Sequence, residues 1–127
     1  MQRCPTPATV KTPAQNFTGD VYLDPVFRGD GTSELVVGLV RFTPGARTNW
    51  HSHANGQLLR CTDGVGLVVT RDGAAIRIQA GDAVWTPAGA ERAGTAAAPG
   101  PLAGVAVARR PSPATASAIA SPATISR

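Results

Sequence analysis

His51 and His53, the only histidines of the chain, are separated by one residue inside Gly45-Ala46-Arg47-Thr48-Asn49-Trp50-His51-Ser52-His53-Ala54-Asn55-Gly56-Gln57. The flanking sequence is strand-like. On extended backbone, side chains two positions apart point to the same side, whereas on a helix they diverge. Gln57, four positions beyond His53, returns to that side as the next strand begins and offers an amide oxygen beside the imidazoles. Nitrogen and oxygen donors meeting at one point are the beginning of a divalent-metal site; mixed ligation of this kind suits manganese or ferrous iron, with zinc also compatible. Because imidazole and amide are neutral, the charge of the ion would stay uncompensated, and a bound substrate hydroxyl would lose its proton more easily than on a carboxylate-ligated metal. The resulting alkoxide can expel a neighbouring leaving group. A histidine pair also occurs on surfaces that bind nothing, so the weight falls on its surroundings.

From Gly45 the spacing runs Gly, five residues, His51, one, His53, three, Gln57, six, Gly64. A second segment runs Gly81, five residues, Pro87, one, Gly89, two, Arg92. Together these resemble the paired motifs of the cupin superfamily, with Gln57 where glutamate is usual and Arg92 where a histidine is usual. Phe17-Thr18-Gly19, Asp24-Pro25-Val26-Phe27 and Phe42-Thr43-Pro44-Gly45-Ala46-Arg47-Thr48 are similar to the small single-domain bacterial cupins that include the manganese-dependent hydroxynitrile lyases. Those proteins also carry glutamine at the position of Gln57. The resemblance covers Phe17 to Glu91 and implies a jelly-roll barrel with His51, His53 and Gln57 holding a divalent ion, Mn2+ first and Fe2+ or Zn2+ next. The implied reaction cleaves or forms cyanohydrins, with cyanide as leaving group and an aldehyde as the other product. By resemblance, a homo-oligomer, dimer or higher, is expected.

Arg92 is the departure that matters. A guanidinium is always charged and cannot coordinate a cation. Pointing inward, it repels a metal and makes the cavity an anion site; pointing outward, it leaves a three-ligand site of lower affinity. This opens two further readings, a non-catalytic small-molecule-binding or regulatory cupin with a degraded metal site, and a metal-dependent oxygenase.

The elements that must position these residues are strands. Glu34 to Phe42 is a β-branched run stopped by Pro44-Gly45. Gln57–Thr62, Gly64–Thr70, Ala74–Gln79 and Ala83–Thr86 read as further strands, with turns at Asp63-Gly64, Asp72-Gly73 and Gly81-Asp82. Val21-Tyr22-Leu23 reads as a short strand ending at a turn at Asp24-Pro25, and Pro101–Ala108 as a poorly filled last strand of small residues. Strands at this spacing, without helical period, predict an all-β sandwich or barrel. The chain divides into a flexible N-terminal arm (1–16), a single cupin-type β-barrel domain (17–108) and a low-complexity, disordered tail (109–127).

Composition limits the partners. The net charge is +4, but residues 1–92 hold nine of the twelve Lys and Arg residues and all eight acids, so there is no basic stripe for nucleic acid. No apolar run is long enough for a membrane-spanning helix, and Met1-Gln2-Arg3-Cys4-Pro5 has no secretory h-region. With Cys4 and Cys61 as the only thiols, a cytoplasmic protein acting on a small-molecule substrate is the expectation. After Arg92 the last 35 residues contain no acid, aromatic or histidine. An ordinary low-complexity tail has this composition, and so does a segment translated from a shifted frame: codons for Ala93-Gly94-Thr95-Ala96, read one base out of step, permit the Trp-His-Gly of the resembled family.

Overall fold

Alternation of apolar and polar residues along short segments produces strands throughout. A computed structural model describes residues 1–97 and 100–110; of the tail expected over 109–127, Arg109 ends a strand and Arg110 N–H donates to the Glu34 carbonyl, and the rest lies outside the described residues. The strands are β1 (Val10–Lys11), β2 (Phe17–Thr18), β3 (Val21–Phe27), β4 (Leu35–Phe42), β5 (Arg47–Thr48), β6 (Gln57–Thr70), β7 (Ala75–Gln79), β8 (Ala83–Thr86), β9 (Arg92–Ala96) and β10 (Leu102–Arg109). Every ladder is antiparallel. The order β1-β3-β4-β10-β6-β8 forms one sheet and β7-β6-β9-β5-β2 the other, with β6 shared between them. Among the described residues no helix is long and apolar enough to cross a membrane.

β6 makes the two sheets one body. Its first half pairs with β8 and β10, its second with β7 and β9. Between the halves, Ala103 faces Asp63 and Gly104 faces Cys61, so Thr62 is an extra residue in the ladder. Such a bulge bends a strand and shifts its side-chain phase. Accordingly Gln57, Leu59 and Cys61 are the more buried positions before it, and Gly66 and Val68 after it. Gly64 follows the bulge at φ 81°, where a Cβ would lie 1.9 Å from the Pro101 carbonyl oxygen, so this corner admits only glycine. The turn expected at Asp63-Gly64 is therefore a bend inside one strand.

The turn expected at Asp24-Pro25 is also absent: β3 runs on to Phe27, with Pro25 opposite Gly38 and a register shift between Pro25 and Phe27. β1 covers only Tyr22 and Leu23 of β3. Proline is tolerated in a strand at a bulge and beyond the paired part of an edge. The hairpin at Asp72-Gly73 and the last strand form as expected, whereas β2, β5 and β9 were not foreseen, nor was β1, which pairs Val10 and Lys11 of the expected flexible arm with β3.

The core joins Val21, Phe42, Cys61, Val68, Ile78 and Leu102, with Phe17, Val40 and Leu59 packed against it. β9 and β10 contribute mainly Ala, Gly, Thr and Val to this interior. Gly94 and Ala106 on those strands leave space that larger side chains would fill, and the barrel interior keeps a cavity of about 410 Å3.

Candidate site in the barrel cavity

Backbone pairing sets which side chains enter the cavity. His51 N–H donates to the Arg92 carbonyl (3.1 Å) and Arg92 N–H to the His51 carbonyl (2.8 Å). Residues exchanging both hydrogen bonds across an antiparallel pair present their side chains on the same face, so Arg92 follows His51 inward. The His53 carbonyl accepts from the N–H groups of Gly56 (3.2 Å) and Gly89 (3.0 Å), joining the histidine loop to the Pro87-Ala88-Gly89 turn. His51, His53, Gln57 and Arg92 all line the one cavity. The rings of His51 and His53 meet edge-on with centroids 5.0 Å apart.

The open question about Arg92 is thus decided by the strand pair: it points in and is 5% exposed. Its Nη2 lies 3.2 Å from His53 Nε2, and its Nε is buried without a hydrogen-bond partner. Burial pulls its pKa down to about 10, so it remains a cation at neutral pH. Burial first, then the Arg92 charge, also lowers both imidazole pKa values, that of His53 to about 4. Both rings are neutral at pH 7.

Asn49 was not singled out from sequence, yet it orients the site. Its carbonyl oxygen lies 2.8 Å from His51 Nδ1, which therefore carries the proton and leaves the lone pair on Nε2. Asn49 is itself fixed by the end of the N-terminal arm: its Nδ2 donates to the Gln15 carbonyl (2.6 Å) and its N–H to that of Asn16 (2.8 Å). No side-chain pattern signals this role, because the contact with His51 is made by the backbone carbonyl. Trp50 and Glu91, the neighbours of opposite parity, meet on the other face around Arg71, whose guanidinium carbon is 4.8 Å from the Trp50 ring centroid and whose Nε is 2.9 Å from Glu91 Oε2.

Whether these residues fit a divalent ion turns on His53. The tautomer of His51, set by a carbonyl behind it, is that of a metal-binding imidazole, and Gln57 lines the same space. The Nε2 lone pair of His53, however, is taken by Arg92, and a metal at the usual bond length of about 2.1 Å would have to sit in the direction of that guanidinium. Among the described residues no three His, Cys, Asp or Glu side chains gather as a metal-binding group. As arranged, the side chains fit a cation on Arg92, and they do not fit a second one beside it.

Comparison with known proteins agrees with the fold. An (R)-mandelonitrile lyase of Granulicella tundricola is 41% identical over 85 residues, which cover 67% of this chain and 65% of the relative. A cupin-like protein of Thermotoga maritima superposes with a TM-score of 0.73 at 33% identity, covering 79% of this chain and 76% of that one. A cupin-2 domain of Rhodospirillum rubrum gives a TM-score of 0.70 at 17% identity over 87% of this chain and 79% of that one. Cupins usually bind a metal. The family model described as a cupin domain matches residues 38–107, more than half of the chain, and the chain belongs to the cupin family.

Proposed function

We propose that this cupin is a lyase for small cyanohydrins or related adducts, in which a carbon leaving group sits beside a hydroxyl, held between His51 and Arg92. One observation carries the reading: a neutral imidazole with its Nε2 unspent and a buried guanidinium line the same largely apolar cavity. In this scheme His51 Nε2 takes the hydroxyl proton, the oxygen lone pair forms the carbonyl as the C–C bond breaks, and the bonding electrons leave with cyanide. Arg92 stabilises the departing anion, and His51 returns the proton to give hydrogen cyanide and an aldehyde. The likeness to a mandelonitrile lyase supports the substrate class.

The test is cyanide release from mandelonitrile in mildly acidic buffer, where the uncatalysed reaction is slow. Turnover in the wild type that falls at least about 100-fold in His51→Ala is the expected result; no turnover above buffer leaves the non-catalytic binding cupin, and oxygen consumption instead leaves the oxygenase.

A second reading keeps manganese, or ferrous iron or zinc, on His51, His53 and Gln57, favoured by the His51 tautomer. It requires Arg92 to leave His53. Metal analysis separates the readings: wild type that purifies with little metal, and Arg92→His that purifies with stoichiometric manganese, would place the obstacle at position 92. We also read the protein as a homo-oligomer, supported by Leu58 and Trp85, which pair across β6 and β8 and are both exposed. Cytoplasmic location is part of the proposal, supported by the free thiols of Cys4 and Cys61.

A further inference from the structure

Arg92 is a buried cation without a counter-charge. None of the four ion pairs among the described residues includes it. Among the described residues its guanidinium meets only His53, a neutral ring, and its Nε has no partner. The nearest acid in sequence, Glu91, is engaged with Arg71 on the opposite face. No Asp or Glu lines the cavity. Burying a charge this way is strongly unfavourable unless something of opposite sign joins it.

We propose that the cavity is a binding site for a small organic monocarboxylate, its carboxylate on Arg92 and its apolar body against Phe17, Val40, Phe42, Leu59 and Leu102. The planar donor fork of a guanidinium matches a carboxylate and accepts it through parallel N–H···O bonds. A single cation calls for a single negative charge, so a phosphate dianion would remain half-neutralised. The volume of about 410 Å3 is that of a pocket for a small organic molecule, larger than an inorganic anion needs. The apolar side chains that line the same cavity reward an aryl or branched alkyl body. Thr48, buried on the same wall, accepts from Gly94 N–H (3.0 Å) and holds β5 and β9 together behind Arg92. This inference stands apart from the lyase reading, because it concerns a bound species that undergoes no reaction.

Calorimetry and thermal unfolding with benzoate, with benzamide as its neutral counterpart and sodium chloride as the inorganic anion, test it on the full chain. Benzoate is expected to raise Tm with the logarithm of its concentration above Kd, with affinity at least about tenfold above benzamide, and Arg92→Gln should erase that preference. Should Arg92→Gln not fold, Arg92→Lys keeps the charge and loses the fork, and benzoate should then bind about tenfold more weakly. Equal binding of benzoate and benzamide, or benzoate affinity unchanged in both variants, overturns the proposal. A chloride effect equal to that of benzoate at equal concentration overturns the carboxylate assignment in favour of an inorganic anion. Protein inert toward mandelonitrile that binds benzoate loses the lyase reading alone; active lyase that ignores benzoate loses this one alone.

Discussion

Arg71 and Arg92 lie on opposite faces of the same wall, each close to Glu91, and they hold their charges in opposite ways. Arg71 is half exposed, pairs with Glu91 at 2.9 Å and covers the Trp50 ring. Arg92, one residue beyond Glu91, is 5% exposed and faces His53 with no acid in reach. Strand alternation made the allocation: His51 and Arg92 turn in, so Trp50 and Glu91 turn out. The outer arginine is a stabilising surface contact of modest size, because both partners keep much of their hydration. The inner one is held in place by strand pairing at a cost in solvation.

The largest effect should come from removing the inner charge. Arg92→Met keeps the length and apolar volume of the side chain and abolishes the buried cation, so in a buffer of low anion content stability should rise by roughly 1–4 kcal/mol. Urea unfolding with an unchanged m value measures this. A fall in stability would mean that Arg92 already has a counter-charge within the folded chain, and the contrast with Arg71 would disappear. Adding benzoate should narrow the gap, because the wild type gains more from it than the variant does.

Protonation reads the same inner field. Both His51 and His53 have folded-state pKa values below the usual 6.5, His53 at about 4, from burial first and the Arg92 charge second. The unfolded chain therefore binds more protons between pH 6.5 and 4. The stability contributed by keeping the rings neutral is fully present above pH 6.5 and is lost as pH falls toward 4, by on the order of 2 kcal/mol for His53 once its partial exposure is allowed for. Midpoints of denaturation taken across this range should show that slope in the wild type and a shallower one in Arg92→Met, where burial still acts but the neighbouring charge does not. A slope that is unaffected by Arg92→Met would remove the guanidinium from the environment of the histidines.

How much of this was legible follows from which residues depend on local pattern. The spacing of the histidine pair and Gln57 between Gly45 and Gly64 carried the family resemblance, and that resemblance implied a barrel interior, where the three side chains line one cavity. Arg92 was legible as a departure but not as an inward one, since its direction depends on its register against His51, a pairing between residues 41 apart in the chain. Asn49 was missed because its backbone carbonyl, and not its side chain, meets His51. β2 and β5 carry too few residues to show a period, β9 is Arg92-Ala93-Gly94-Thr95-Ala96 with little strand preference of its own, and all three form through tertiary pairing. The supposed turns at residues 24–25 and 63–64 failed for a common reason: bulges let Pro25 and Gly64 sit within strands.

The smallest effect belongs to the outer arginine. Arg71→Ala removes one exposed ion pair and one cation–π contact, and exposed pairs of this type contribute under about 1 kcal/mol, with the aromatic contact adding about as much at a solvated site. A double-mutant cycle with Glu91→Gln isolates the ionic part, and that part should shrink further in high salt because both groups face solvent. Benzoate affinity should be unaltered in Arg71→Ala, since Glu91 stays on the outer face whether or not it has a partner. If benzoate binding is instead abolished, the freed Glu91 carboxylate has reached Arg92 from outside, and the wall between the two arginines is more permeable to rearrangement than its strand pairing indicates.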